Sequence, residues 1–66
     1  MTTLWLNGEH IETSAATVGA LLAARAIGPR GVAVAVNGTV IPRSQWHSTD
    51  LSHEDSVEVV TAAAGG

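Results

Sequence analysis

Cysteine is missing from this sequence altogether, and with it any disulfide framework, thiolate metal site or cysteine nucleophile. In so short a chain that absence says little about compartment. Lysine is missing too. The N-terminus is the one primary amine, so the chain is a poor acceptor for amide-linked conjugation to itself. Basic charge is scarce: Arg25, Arg30 and Arg43 stand against six carboxylates, for a formal net charge of −3. No basic patch can form, which argues against nucleic acid as a partner. The longest apolar run falls far short of the ~20 residues that cross a bilayer. Met1-Thr2-Thr3-Leu4 shows no basic region followed by an apolar run, so no signal peptide is visible and a cytoplasmic location is expected. Sixty-six residues make one domain. A domain this small buries only ~60% of its unfolded surface and has little room for a deep catalytic cleft.

The remaining residues are patterned. Thr3-Leu4-Trp5-Leu6, then Asn7-Gly8, then Glu9-His10-Ile11-Glu12 reads as a β-hairpin. Asn-Gly suits a two-residue type I′ turn, in which both central residues need positive φ. Alternation puts Leu4 and Leu6 on one face and Trp5 on the other. Thr17 can cap a helix with its hydroxyl. Val18, Leu21, Leu22 and Ala26 then recur at helical spacing and predict one amphipathic helix over 18–27. Gly19 weakens it, and Gly28-Pro29 ends it.

Val32-Ala33-Val34-Ala35-Val36 alternates β-branched residues and closes on a second Asn-Gly, Asn37-Gly38. A strand with Val32, Val34 and Val36 inward is expected, then a short return strand, Thr39-Val40-Ile41, stopped by Pro42. Residues 43–50 read as irregular or a single turn, anchored by Trp46 and Leu51. A turn over 52–56 leads to a last strand, Ser56–Thr61, with Val57 and Val59 inward and Glu58 and Val60 outward. The order is hairpin, helix, strand, irregular crossover, final strand. It predicts an α+β domain, a mixed sheet of four to five strands packed on one main helix. The last strand must be central for its valines to be buried. That is the layout of the β-grasp (ubiquitin-like) fold, with first and last strands parallel and adjacent.

Candidate chemistry within the body is thin. His10, His47 and His53 have no metal-ligand spacing and no closed ligand set, so they read as solvated surface residues. Glu9, Glu12, Asp50, Glu54, Asp55 and Glu58 are gathered by no expected cleft and read as solvated charge. Ser44, Ser48, Ser52 and Ser56 lie near histidines, yet nothing suggests a strained elbow or oxyanion hole. No catalytic residue and no metal ligand is assigned.

The end of the sequence is different. Gly65-Gly66 follows a run of small residues, and glycine lets backbone approach backbone closely. If extended, residues 61–66 reach roughly 20 Å at ~3.3 Å each. That is long enough to enter a partner's active site while a body of residues 1–60 stays outside. A flexible tail presenting a free Gly66 carboxylate, with Gly65 and Ala64 needed for threading, is the expectation.

With these elements in order, the sequence resembles the ThiS family, the sulfur-carrier proteins of thiamine biosynthesis. Leu6-Asn7-Gly8-Glu9 resembles the family's opening. Val34-Ala35-Val36-Asn37-Gly38 with Val40-Ile41-Pro42-Arg43-Ser44-x-Trp46 resembles its most distinctive motif, and Gly65-Gly66 its reactive end. One departure is His53-Glu54-Asp55, where the family often has Asp-Gly-Asp; this is expected to change the turn's geometry. The resemblance implies a carrier rather than an enzyme, with no bound cofactor. A ThiF-like adenylyltransferase would use ATP and magnesium to adenylate Gly66. A sulfur donor such as a cysteine desulfurase would lead to a thiocarboxylate there, and a ThiG-like thiazole synthase would receive the sulfur. Two relatives of the same design stay open, the small sulfur-carrying subunit of molybdopterin synthase and a ubiquitin-like protein modifier. So does a plain interaction domain whose terminal glycines are accidental.

Trp5 is the remaining candidate. With Leu4 and Leu6 claiming the core, its indole points outward. It is expected beside Val60, with Ala33 and Ala35 near, as an exposed partner-binding patch of Trp5, Ala35 and Val60.

Overall fold

The computed structural model describes residues 1–28 and 30–61. Pro29, expected to help end the helix, and Ala64, Gly65 and Gly66, expected to form the reactive tail, lie outside the described residues. The elements are β1 (Thr2–Leu6), β2 (Glu9–Thr13), α1 (Val18–Ala24), β3 (Val32–Val36), β4 (Thr39–Ile41), a 3₁₀ helix (Arg43–Ser48) and β5 (Ser56–Thr61). They form one five-stranded sheet in the order β2-β1-β5-β3-β4. β5 is central. It runs parallel to β1 and antiparallel to β3. This is the β-grasp arrangement expected from the order of elements. Thr61, also read as the first residue of the tail, is the last residue of β5 and pairs with Val32.

Alternation along each strand sorts the side chains onto two faces. Leu4, Leu6, Val34 and Val57 face α1 and are buried with Val18, Leu21 and Leu22. Ile11, Val32, Val36, Ile41 and Val59 pack at the margin of the same core. Each fully buried aliphatic side chain contributes about 1.5–3 kcal/mol. Trp46 on the 3₁₀ helix closes one end. Its indole N–H donates to the Ile41 carbonyl at 3.0 Å, so this large ring is buried without an unpaired donor. Leu51 completes the cluster. The 3₁₀ helix sits tightly on α1. A Cβ at Gly19 would fall 2.6 Å from Nδ1 of His47. The glycine that weakens the helix locally is therefore what lets the His47 ring lie against it.

Both Asn-Gly pairs form the expected turns, with φ of 51° at Asn7 and Asn37, 83° at Gly8 and 84° at Gly38. Each asparagine also does something its turn role does not require. Asn7 donates from Nδ2 to the Val59 carbonyl (3.3 Å), and its Oδ1 accepts from the Val59 N–H (2.8 Å). The side-chain amide thus imitates one more residue of β1 and lengthens the parallel ladder. Asn37 acts on the other side of β5. Its Oδ1 accepts from the Ser56 N–H (2.9 Å), while its own N–H donates to the Ser56 carbonyl (2.8 Å).

Thr17 caps α1 as expected, its hydroxyl accepting from the Ala20 N–H at 3.1 Å. The other end differs from the sequence expectation. α1 stops at Ala24, not 27. Ala26 turns left-handed, at φ 57°. Its N–H donates to Ala23, and the Ile27 N–H reaches back to Leu22. That is a Schellman closure, which brings Ile27 back onto the core. The left-handed turn falls at Ala26, two residues before Gly28, because packing of Ile27 decides it, and an alanine occupies that position. Left-handed backbone costs a residue with a Cβ about 1–2 kcal/mol. Ala26 is exposed, so Ala26→Gly removes that cost without opening a cavity. Chemical denaturation should show the variant more stable by about 1 kcal/mol with an unchanged slope. Equal or lower stability would contradict this assignment of the cap.

Candidate functional site

The sheet face turned away from α1 carries Thr3 and Trp5 of β1, His10 and Glu12 of β2, Ala33 and Ala35 of β3, Val40 of β4, and Ser56, Glu58 and Val60 of β5. Trp5, Val40 and Val60 are exposed, at 39%, 69% and 63%. The outward direction expected for Trp5 is what the structure has. Its expected neighbours are not. In the parallel pairing, Trp5 lies opposite Ser56, and Val60 is four residues further along β5. At ~3.3 Å per residue that separates them by roughly 13 Å along the strand. The patch of Trp5, Ala35 and Val60 is therefore two features. The register of β1 on β5 causes the split, and it could not be read from alternation, which fixes faces but not offsets.

The first feature is a shallow depression of about 180 Å³ lined by Ala33, Ala35, Val40, Glu58 and Val60. Small alanines between larger valines make the hollow. It lies at the end of β5 from which the chain continues beyond Thr61.

The second feature is built around Trp5. Trp5 and His10 are direct cross-strand partners. Their rings stack with centroids 4.4 Å apart and planes at 22°. Glu54, from the turn before β5, reaches both. Its Oε1 accepts from the Trp5 indole N–H at 3.3 Å, and its Oε2 lies 3.0 Å from His10 Nε2. The backbone there is anchored. Glu54 N–H donates to the Thr3 carbonyl (2.7 Å), and Trp5 N–H to the Asp55 carbonyl (2.8 Å). His53 Nδ1 accepts from the Thr3 N–H at 3.2 Å. Asp55 holds the turn's frame, accepting from Ser52 N–H and from Nδ2 of Asn37. His10, His53, Glu54 and Asp55 are thus not the merely solvated residues expected from the sequence. Glu54 has φ 66°. A glutamate thus occupies a left-handed backbone position of the kind that favours glycine. The one available signal was the glycine missing from that place.

Hydrogen bonding from His10, foremost, holds the Glu54 carboxyl below its usual range, helped by the Trp5 indole N–H and the charges of His10 and His53 against a partly opposing loss of hydration. His47 lies instead beside α1, away from this group. Among the described residues no group of three or more His, Asp or Glu gathers as a metal site, and no helix is long and apolar enough to cross a membrane.

The ThiS family model matches residues 4–66. The chain belongs to the ThiS family. The match covers β1 through β5 and runs on through the glycine pair. A solved structure described as thiamine biosynthesis protein (ThiS) from Geobacter metallireducens superposes with a TM-score of 0.81 at 29% identity, covering 98% of this chain and 100% of that one. An uncharacterized protein, ycf40, of Porphyra purpurea is 37% identical over 35 residues. That match takes in 53% of this ThiS-family chain and 49% of the relative, so the chain covers about half of that protein's length.

The lowered Glu54 pKa has a definite sign. A carboxyl depressed on folding stabilises the fold above its unfolded value, near 4.5, and that stabilisation is lost as pH falls through the lower folded value. Wild type should therefore melt slightly above Glu54→Gln at pH 6, the margin being small because the carboxylate is exposed, with the gap closing as pH falls below about 4. A gap that is constant with pH would contradict the stabilisation of the Glu54 carboxylate by its bonds to His10 and Trp5.

Proposed function

We propose that this chain is a sulfur carrier for thiazole formation, itself a consumed co-substrate and not a catalyst. The observation that carries the reading is the family match, which spans the β-grasp body and continues through Gly65-Gly66. The description of the Geobacter structure supports the thiamine pathway over the molybdopterin one.

The chemistry follows from the terminal group. A carboxylate resists nucleophiles because its charge repels them and resonance stabilises it. A ThiF-like adenylyltransferase holding ATP and magnesium would let the Gly66 carboxylate attack the α-phosphorus, releasing pyrophosphate. The resulting acyl-adenylate has lost its charge and gained AMP as a leaving group. Sulfide, or the terminal sulfur of a desulfurase persulfide subsequently cut by a thiol, displaces AMP and leaves a thiocarboxylate on Gly66. Its soft, nucleophilic sulfur is then taken up by a ThiG-like thiazole synthase. Gly65 and Ala64 serve by being small enough to thread. The body's part is docking. Ala35 and Val60 at the depression, and Trp5 further along the face, would bind the partner and so present the tail, the arrangement that turns a bimolecular encounter into an oriented one.

Intact mass spectrometry of protein treated with ATP, the activating enzyme and sulfide should show one oxygen exchanged for sulfur, placed on Gly66 by fragmentation. Deleting Gly66 should abolish ATP–pyrophosphate exchange and leave the denaturation midpoint unchanged, since misplacement by about 1 Å already costs ~100-fold. Sulfur on any other residue, or exchange retained without Gly66, would sink the carrier reading.

A further inference from the structure

Glu54 combines three properties that its structural role does not explain. Its backbone is left-handed, which disfavours a side chain, and the peptide contacts of the turn would all survive with glycine in its place. Its side chain is exposed, so the bonds to Trp5 and His10 contribute little to stability. Yet those bonds fix the carboxylate in one place, at the edge of a stacked Trp–His pair that is itself open to solvent. Strain kept in the backbone with small structural return points to a use outside the fold.

The surroundings say what that use is. Glu12, Glu54 and Glu58 lie on or over this sheet face. The described arginines lie elsewhere: Arg25 caps α1, Arg30 precedes β3 and Arg43 begins the 3₁₀ helix. The bases near this face among the described residues are His10, which Glu54 already engages, and His53, whose Nδ1 accepts from the Thr3 N–H. The face is thus apolar in the hollow and acidic around it, and its ionised oxygens have unused lone pairs.

We propose that Glu54 is a recognition residue for the activating enzyme, accepting a guanidinium from a basic patch on that protein, with Trp5 giving the guanidinium a flat surface to stack on. This deepens the carrier reading and rests on it. The partner is identified by chemistry: an arginine for the preorganised carboxylate and indole, and an aliphatic side chain for the hollow at Ala35, Val40 and Val60. Glu54 precedes β5, and the chain leaves β5 toward the reacting end only at Thr61, six strand residues or roughly 20 Å further on. Its contact is therefore made equally in ground and transition states. Losing it should raise KM and leave kcat alone.

Two variants separate this from a structural role. Glu54→Gly relieves the left-handed backbone, and Glu54→Gln keeps the backbone and shape but removes the charge. ATP–pyrophosphate exchange with the full chain and the activating enzyme should show KM raised at least about tenfold in both, with kcat within about twofold. Glu54→Gly should melt no lower than wild type, so its loss of recognition cannot be a loss of folding. Raising salt should weaken wild type and barely affect Glu54→Gln. An unchanged KM in Glu54→Gln, or a loss confined to kcat, overturns the assignment even while wild type turns over. Wild type that is never adenylated overturns the carrier reading instead, and this inference with it.

Discussion

Two side-chain amides hold the middle of this sheet. β5 is the last strand in the sequence and lies between β1 and β3, which pair on their outer sides with β2 and β4. Each neighbour ends in an Asn-Gly turn, and each asparagine turns its amide onto β5, Asn7 at Val59 and Asn37 at Ser56. The left-handed backbone of each asparagine makes this possible, because asparagine tolerates positive φ while keeping a group that can both donate and accept. A glycine would make the same turn and leave β5 with fewer partners. The two hairpins thus grip the strand that carries the end of the sequence.

From that grip follows the division of the molecule. With β5 fixed centrally, its valines at 57 and 59 complete the core beneath α1, while Glu58 and Val60 must face away. Among the described residues there is one α-helix, and it covers one face. The other face stays open, with a small hollow near the end of β5 and the Trp5–His10–Glu54 group near its start. A body with its last strand held centrally and one sheet face bare fits the carrier role proposed above.

Much of this was legible in the residues. Period-two valines and leucines gave β1, β3 and β5 with the right faces, Thr17 marked the start of α1, and burial of Val57 and Val59 required a central last strand. What escaped was set by contacts between distant segments. The end of α1 depends on Ile27 returning to Leu22 and the core, so Gly28 was a misleading stop signal. The neighbours of Trp5 depend on strand offset, which alternation cannot supply. The second role of Asn7 and Asn37 depends on β5 arriving between them. Glu54 was visible as a departure from the family pattern, but its meaning required seeing it reach Trp5 and His10.

Amide hydrogen exchange at Val59 is the most direct test of the central claim, because its N–H is held by a side chain instead of a strand backbone. If the asparagine grip fixes β5, Val59 exchanges in wild type only through global unfolding, at the rate set by the overall stability. In Asn7→Gly, which keeps the turn, Val59 exchange then quickens by at least about tenfold more than the loss of global stability explains. Rapid exchange of Val59 in wild type, or equal protection in Asn7→Gly once global stability is accounted for, would contradict the account.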